Sequence, residues 1–300
     1  MGEGLAQDGE DPVFVPYTIP GERVKATIWR KSRRFLEARL EGLLDESPHR
    51  VEPRCRYYGE CTGCQWQHVS YEHQLAMKAQ LLREQLERIG EFEDPPVAQP
   101  IACDEPWGYR NHARFTIGPE GKLGFVNRTT RRFVRIDECL IMDNGINEIL
   151  QELQGKVSET TQLSIRYGPH SKDWLIQPSL QSLEVTTDSG QPHYEEEMLG
   201  HRFQVAASSF FQVNVRQAEK LVGLVGNSLE LSSDDVLVDA YAGVGTFAVL
   251  LAGAVREVIA VEESSSAIKD ARENVAGLPN IRLIEGKTEE GLAQLDGTPD

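Results

Sequence analysis

Residues 236–252 read VLVDAYAGVGTFAVLLA: an apolar strand that ends at Asp239, a turn with glycines at positions 243 and 245, and an apolar helix. Glycine lets a backbone approach a ligand closely, and the start of a helix offers backbone N–H groups that have no partner within the helix. The next apolar run, EVIAVE, ends at Glu262, where a carboxylate can accept hydrogen bonds from ribose hydroxyls. The stretch therefore predicts a nucleoside-binding turn between a strand and a helix.

The glycine spacing separates two kinds of nucleoside-binding turn. A dinucleotide-binding turn carries a third glycine three positions after the second, and this chain has Phe247 and Ala248 in that part of the turn. An acidic residue at the end of the first strand, a G-x-G turn and a second acidic residue match the turn of S-adenosylmethionine methyltransferases better. A turn with a purely structural role is the alternative.

Changes of pattern along the chain predict three domains. In residues 206–300, strands alternate with helices, which predicts a parallel sheet in an α/β domain. Residues 1–52 hold short β-type runs separated by Pro and Gly, as in a small β-barrel, but supply fewer strands than the roughly five that closure requires. Residues 53–205 begin with a cysteine cluster, continue with a helix over 71–89, and then show strand patterns, including WLIQPSLQSLEVTTDSGQ over 174–191.

Composition and charge limit the class of protein. No apolar run approaches the roughly 18 residues of a membrane helix, and the first residues do not resemble a signal peptide, so we expect a soluble, cytoplasmic protein without a membrane partner. The net charge of −16 argues against nucleic-acid binding over the whole surface. The charge is uneven, however: residues 107–137 hold seven Arg or Lys against two acidic residues, and residues 226–300 hold five against fourteen.

Four of the five cysteines suggest a metal site. Cys55, Cys61 and Cys64 form C-x5-C-x2-C, and Cys139 follows 75 positions after Cys64. Four thiolates suit tetrahedral zinc or an iron–sulfur cluster, and three close cysteines with one distant partner favour the cluster. Zinc, or ordinary buried cysteines, are the alternatives. Cys103 has no partner in this pattern.

Four motifs in this order resemble one enzyme family. They are CRYYGECTGCQWQH from residue 55, PWGYRNHARF from residue 106, SFFQVN from residue 209 and DAYAGVGTF from residue 239. The set resembles the RNA uracil-5-methyltransferases, in particular the iron–sulfur branch that modifies 23S ribosomal RNA. GEGLA, VFVP and IPGERV in the first 24 residues resemble the TRAM domain, an OB-like RNA-binding barrel. The resemblance implies a partial OB-like β-barrel, a β-rich central domain with the cluster, and an incomplete class I, Rossmann-like α/β methyltransferase domain.

The resemblance also implies roles for individual residues. A [4Fe–4S] cluster would be held by Cys55, Cys61, Cys64 and Cys139. S-adenosylmethionine would be bound by Gln212, Asp239, Tyr241, Gly243, Gly245, Thr246, Glu262 and Lys287. Lys287 departs from the family pattern, which often has Asn or Asp there. Phe210 corresponds to an aromatic position near the target base, although an ordinary core aromatic in a strand is an equal alternative. The basic strip with Trp107, Tyr109, Arg110 and Arg114 is the candidate RNA contact, with a merely solvated face of hairpins as its alternative.

The chemistry of the family requires residues that this sequence does not contain. A cysteine thiolate adds to C6 of uracil and makes C5 able to attack the methyl group, and a general base then removes the C5 proton. In the family this cysteine and a glutamate base follow the position of Asp300, so we expect the 300-residue chain to be a fragment that is inactive by itself. We also expect it to be a monomer. A catalytically silent iron–sulfur RNA-binding protein, a redox sensor and a tRNA uracil-C5 methyltransferase are the alternatives.

Overall fold

The fold is described here for residues 2–8 and 11–293 of a computed structural model. Its strands are, in chain order, β1 (Gly4–Asp8), β2 (Asp11–Val15), β3 (Arg23–Lys31), β4 (Leu36–Asp45), β5 (His112–Ile117), β6 (Leu123–Val126), β7 (Phe133–Arg135), β8 (Gln162–Tyr167), β9 (Trp174–Gln177), β10 (His193–Met198), β11 (His201–Ala206), β12 (Val236–Asp239), β13 (Glu257–Glu262) and β14 (Ile281–Glu285). Its α-helices are α1 (Tyr71–Arg88), α2 (Asn144–Leu153), α3 (Val215–Ser228), α4 (Thr246–Leu251), α5 (Ser265–Asn274) and α6 (Thr288–Leu292).

The chain divides into two compact units. Unit 1 comprises Met1–Asp104 and Phe125–Ile136, and unit 2 comprises Glu105–Gly124 and Asp137–Asp300. The predicted division into three domains, with boundaries near residues 52 and 205, differs from these two units and stays a prediction. No helix within residues 2–8 and 11–293 is both long and apolar enough to cross a membrane.

Unit 1 contains a four-stranded sheet in the order β1-β2-β4-β3. Strand β2 pairs with β1 antiparallel and with β4 parallel, and β3 pairs with β4 antiparallel. Val13, Val15, Leu36 and Ala38 form its buried core, because alternate side chains of a strand point to the same face. The β-type runs predicted in residues 1–52 are confirmed, and β1 is an additional strand.

These strands do not close into a barrel. Within the described part of the chain no pairing joins β1 to β3, so the sheet has two open edges. Four strands, of which β1 and β2 have five residues each, are fewer than a closed barrel requires. A closed barrel is therefore absent from the described residues, and the partial OB-like barrel stays a prediction.

Helix α1, also in unit 1, confirms the helix predicted over residues 71–89. Its 18 residues include no buried side chain. The Gln74 side chain donates from Nε2 to the carbonyl oxygens of Trp66 (3.0 Å) and Val69 (2.9 Å). These bonds tie the first turn of the helix to the end of the cysteine-bearing loop.

The central part of unit 2 is an antiparallel sheet with the order β6-β5-β8-β9. Helix α2 contributes Ile146, Leu150 and Leu153, which are fully buried. The segment after β9 corrects the sequence prediction, since residues 178–190 form no strand. The Glu152 carboxylate instead accepts the backbone N–H groups of Thr186 (3.1 Å) and Thr187 (2.9 Å).

The end of unit 2 is an α/β layer. Strands β12, β13 and β14 form a parallel sheet in that order. Val258, Ile259, Ala260 and Val261 of the central strand are all buried, as expected for a parallel strand covered on both faces. The parallel sheet predicted from residue 206 onward is confirmed. The β10–β11 hairpin packs on this layer through a shared core that includes Phe203, Phe211 and Val244.

Candidate active site

The glycine turn has the backbone conformation that its sequence predicts. Gly243 and Gly245 have φ values of 57° and 85°, in the left-handed region that side chains with a Cβ disfavour. A Cβ atom added at Gly243 would meet no atom within 4 Å, so the turn leaves open space above its backbone at this point. A ligand can approach the Gly243 backbone directly.

Two carboxylates hold the turn on either side. Asp239, at the end of β12, accepts the backbone N–H of Ala248 on Oδ2 (3.1 Å). Glu262, at the end of β13, accepts the N–H of Gly243 on Oε2 (2.7 Å) and the N–H of Ser264 on Oε1 (2.6 Å). Burial, and secondarily the negative charge of Glu262, raises the pKa of Asp239. Each carboxylate oxygen has a further lone pair, so Glu262 can orient the turn and accept a hydroxyl at once.

Two aromatic side chains at the predicted site are exposed. Tyr241 is 80% exposed and Phe210 is 71% exposed. Phe211 instead is buried, and its ring lies 5.8 Å from that of Phe203. Phe210 is therefore not a core aromatic, and residues 207–213 are not a strand. Its contact with a target base stays a prediction.

The remaining predicted cofactor residues lie in three separate parts of unit 2. Gln212 is half-buried, and its carbonyl oxygen accepts a hydrogen bond from Asn111 Nδ2 (3.2 Å). Thr246 is half-buried at the first position of α4, and Lys287 is exposed at the start of α6. The Thr288 hydroxyl donates to the carbonyl of Ala240, which fixes the loop after β14 to the end of β12.

Two polar residues of α5 belong to this site although the motifs did not indicate them. Asn274 accepts the N–H of Gln204 (2.7 Å) and donates to the carbonyls of Gln204 (3.1 Å) and Val244 (2.9 Å). Asp270 is buried and accepts the N–H of Ala206 (2.8 Å). Helix α5 thus joins β11 to the glycine turn. Their spacing of four residues, beside buried Ala267 and Ala271, is the signal that could have found them.

The basic residues of the stretch 107–137 are divided between the units. Trp107, Tyr109, Arg110 and Arg114 lie in unit 2, and the four arginines of residues 128–135 lie in unit 1. Arg114 is exposed on β5. Burial, followed by the positive charges of Arg166, Arg110 and Arg114, lowers the pKa of His112 to about 4. His112 is therefore neutral at pH 7. The three guanidinium groups around it make this face of β5 locally cationic.

The cysteines that the sequence singled out form no disulfide. In unit 1, Cys55, Cys61 and Cys64 share one loop, and the N–H of Cys61 donates to the carbonyl of Tyr57 (2.8 Å). Burial raises the pKa of the Cys61 thiol, and the charges of Cys64 and Cys55 add to the shift. In unit 2, the N–H of Cys139 donates to Asn147 Oδ1 (2.8 Å). Within residues 2–8 and 11–293, no group of three or more His, Cys, Asp or Glu side chains is arranged to hold a metal ion.

The fold resembles that of a known RNA-modifying enzyme. The solved structure of the tRNA (uracil-54, C5)-methyltransferase of Pyrococcus abyssi, in complex with S-adenosyl-L-homocysteine, matches with a TM-score of 0.64 and 22% sequence identity. The match covers 91% of this chain and 75% of that chain. At this identity the likeness concerns the fold, and it confirms a mixed α/β architecture with a Rossmann-like domain.

Sequence comparison identifies the family. A protein of Thermosynechococcus vestitus named an uncharacterized RNA methyltransferase is 31% identical over 353 residues, covering 100% of this chain and 79% of that protein. Another with this description, from Synechocystis, is 30% identical over 357 residues, covering 100% of this chain and 77% of its own length. The family described as tRNA (Uracil-5-)-methyltransferase matches residues 194–297, which contain the glycine turn. With such identity along its length, the chain belongs to the RNA methyltransferase family, and the prediction that it is an enzyme of this class is confirmed.

Proposed function

We propose that this protein binds S-adenosylmethionine at the glycine turn and serves the methylation of uracil C5 in RNA. One observation carries the cofactor assignment: Glu262 bonds to the N–H of Gly243 beside open space above the turn. A nucleoside lying there would meet the Gly243 backbone and the free lone pairs of Glu262. The match of the uracil-5 family to residues 194–297 supports the choice of base.

The residues of the site divide the work of binding between them. Glu262 accepts hydrogen bonds from the ribose hydroxyls, and Tyr241 offers an exposed aromatic face beside the turn. Asp239 keeps the turn folded through the N–H of Ala248. Bound S-adenosylmethionine supplies an electrophilic methyl group. We assign binding, rather than the covalent step at uracil C6, to residues 2–8 and 11–293.

The exposed aromatic and basic residues of unit 2 are proposed to bind the RNA. A base inside an RNA helix must be unstacked before its C5 can be reached, and unstacked bases bind to aromatic side chains. Phe210 is exposed for such a contact. Arg114 lies on β5, and Arg110, just before this strand, is close enough to act on His112. Trp107 and Tyr109 precede that strand in the chain. The phosphates of RNA are the natural counter-charge for these guanidinium groups.

Ribosomal RNA is the proposed substrate, and tRNA is the second candidate. The cysteine motif from Cys55 to Cys64 supports 23S ribosomal RNA. The description of the family that matches residues 194–297 favours tRNA. Deletion of the gene, followed by mass spectrometry of 5-methyluridine in separated 23S RNA and tRNA, tests both. Loss of the nucleoside from 23S RNA supports the proposal, loss from tRNA supports the second candidate, and unchanged 5-methyluridine in both contradicts the activity.

We also propose a [4Fe–4S] cluster on Cys55, Cys61, Cys64 and Cys139, with zinc as the alternative. The chemistry of the donor set supports it, because three thiols in one loop are close enough to shift the pKa of Cys61. Anaerobic purification with iron and zinc analysis, and a visible absorption spectrum, identifies the metal. Full iron content in a variant with all four cysteines changed to serine would contradict this ligand set. The cluster has no part in the binding steps above.

A further inference from the structure

The segment 207–213 carries Phe210 and Gln212 but belongs to no strand or helix. Its backbone carbonyls therefore have no ladder of regular hydrogen bonds to hold them. In unit 2 they are held by side chains from distant parts of the chain. Because backbone groups without such bonds leave a loop free to move, these side chains, together with the buried ring of Phe211, hold Phe210 and Gln212 in place.

Asn111 makes the central contacts to this segment. Its side chain donates from Nδ2 to the carbonyl oxygen of Gln212 (3.2 Å) and to Glu196 Oε2 (3.2 Å). Its backbone N–H donates to the carbonyl of Val213 (3.0 Å), and its carbonyl accepts the N–H of Tyr167 (3.0 Å). Asn111 is only 2% exposed, so it holds the segment from inside the protein.

Arg166 of β8 holds the other end of the segment. One guanidinium nitrogen, Nη2, donates to the carbonyls of Ser209 (2.7 Å) and Ala207 (3.3 Å). Arg166 and Asn111 thus hydrogen-bond to the two ends of the segment, and Phe210 lies between these contacts. The backbone on both sides of Phe210 is therefore held, although the exposed Phe210 ring itself is not packed.

Glu196 of β10 fixes the orientation of the Asn111 amide. Glu196 is fully buried, and its Oε1 accepts the N–H of Glu197 (3.1 Å) while Oε2 faces Asn111. The Asn111 amide presents its NH2 group to this carboxyl group, and the same NH2 group reaches the Gln212 carbonyl. Burial raises the pKa of Glu196 to about 8, and the charges of Asp143 and Glu219 add to the shift. Tyr194 lies within electrostatic range of this carboxyl group, and Arg166 in turn lies within range of Tyr194.

We propose that Asn111 and Glu196 are positioning residues that hold Gln212 and Phe210 in the geometry needed to bind the cofactor and the target base. This inference rests on the proposed function, because it assigns these two residues to the same site. Neither Asn111 nor Glu196 touches a ligand in this proposal. Glu196 orients Asn111, and Asn111 orients the segment.

Variants at positions 111 and 196 separate a positioning role from simple stabilisation, because one of them exchanges the amide and the carboxyl group between the two positions. Asn111→Ala and Glu196→Ala remove the support. Glu196→Gln keeps an acceptor oxygen for Asn111. The double variant Asn111→Asp with Glu196→Gln restores a hydrogen bond between positions 111 and 196, but it places a carboxylate against the Gln212 carbonyl. Glu195→Gln, on the same strand at an exposed position, and Asn144→Ala, at an exposed asparagine, are the controls.

Three measurements apply to each variant: the thermal midpoint, the affinity for S-adenosylhomocysteine, and hydrogen exchange of amides 207–213. We expect Asn111→Ala and Glu196→Ala to bind about tenfold more weakly and to exchange faster in this segment, while Glu196→Gln stays within twofold of the wild type. The single variant Asn111→Asp is measured beside the double variant. The double variant should recover the thermal midpoint that Asn111→Asp loses, without recovering affinity or slow exchange. Recovery of all three together would overturn the positioning role, as would unchanged exchange in Asn111→Ala.

Hydrogen exchange keeps this inference separate from the proposed function. Wild-type protein that binds no S-adenosylhomocysteine would contradict the cofactor assignment, and exchange of residues 207–213 would still report on the support by Asn111. Should Asn111→Ala fail to fold, Glu196→Ala and the double variant give the same comparison.

Discussion

At the scale of the single residue, Glu262 combines a structural bond with the proposed binding of ribose. Glu262→Ala removes the acceptor of the Gly243 N–H and the acceptor of the ribose hydroxyls. We expect affinity for S-adenosylhomocysteine to fall at least tenfold, about 1.4 kcal/mol, in isothermal titration calorimetry. The neighbouring Glu263→Ala, at an exposed position, should bind as the wild type does. Equal affinity of Glu262→Ala and wild type would exclude Glu262 from the cofactor site.

Glu196 makes stability depend on pH in a direction opposite to that of an ordinary carboxylate. Its pKa in the folded state is about 8, above the usual value of 4.5, so the folded state binds a proton that the unfolded state has released. The contribution to stability is present below the unfolded pKa and is lost as the pH rises toward 8, by about 1.4 kcal/mol for each pH unit in this window.

Urea unfolding at pH 6.5 and pH 8 measures this effect. Glu196→Gln cannot titrate, so its free energy of unfolding should fall less than that of the wild type between these two pH values. The window begins at 6.5 because His112, whose folded-state pKa is lowered to about 4, adds stability as the pH rises to that value. Identical pH dependence in Glu196→Gln and wild type would show that Glu196 ionises normally.

At the scale of the element, α5 connects the β10–β11 hairpin to the cofactor turn. Asn274→Ala leaves the backbone groups of Gln204 and the carbonyl of Val244 without their partner. A buried polar group without a partner costs about 1 to 3 kcal/mol. We expect a loss of about 2 kcal/mol in urea unfolding, with weaker S-adenosylhomocysteine binding. Glu273→Ala, exposed on the same helix, should change neither, and an unaffected Asn274→Ala would contradict the connecting role.

Gly243 of the turn differs from a glycine inside a helix in what an added methyl group would do. At Gly243 a Cβ meets no protein atom, but φ is 57°, so Gly243→Ala should cost about 1 to 2 kcal/mol of stability and also block the open space. Gly223 lies inside α3 with no atom near its Cβ position, and Gly223→Ala should stabilise the protein by about 0.5 to 1 kcal/mol. Thermal unfolding with cofactor titration distinguishes them. Undiminished cofactor binding by Gly243→Ala would place the ligand elsewhere.

Elements with a strong period could be predicted from the sequence, and contacts between distant residues could not. The run over 236–262 predicted β12, the turn and β13, because a buried parallel strand and a G-x-G turn are both local patterns. The stretch after Gln177 has strand-like composition, but Glu152 binds its N–H groups and no partner strand forms. The contact of Asn111 with Gln212 joins positions 101 residues apart. No local pattern in a single sequence reveals such a bond.

At the scale of the whole molecule, a net charge of −16 has to be compatible with RNA binding. The local distribution resolves this, because a contact with phosphate depends on charges within a Debye length, about 8 to 10 Å at physiological salt. The guanidinium groups of Arg110, Arg114 and Arg166 lie close enough together to shift His112. The excess of acidic residues over 226–300 would repel the phosphates of RNA from that part of the chain.

Salt dependence tests this division of charge. Binding of a polyanion releases counterions in proportion to the phosphates contacted, so Arg114→Ala should weaken RNA binding at low salt and reduce the slope of log affinity against log salt by about 1. Filter binding of a labelled RNA across a salt series measures both. Arg282→Ala removes an equal charge from the acidic α/β layer, where Arg282 is paired with Glu257 (3.4 Å), and should leave the slope unchanged. Equal slopes for Arg114→Ala and Arg282→Ala would mean that RNA responds only to net charge and that β5 makes no phosphate contact.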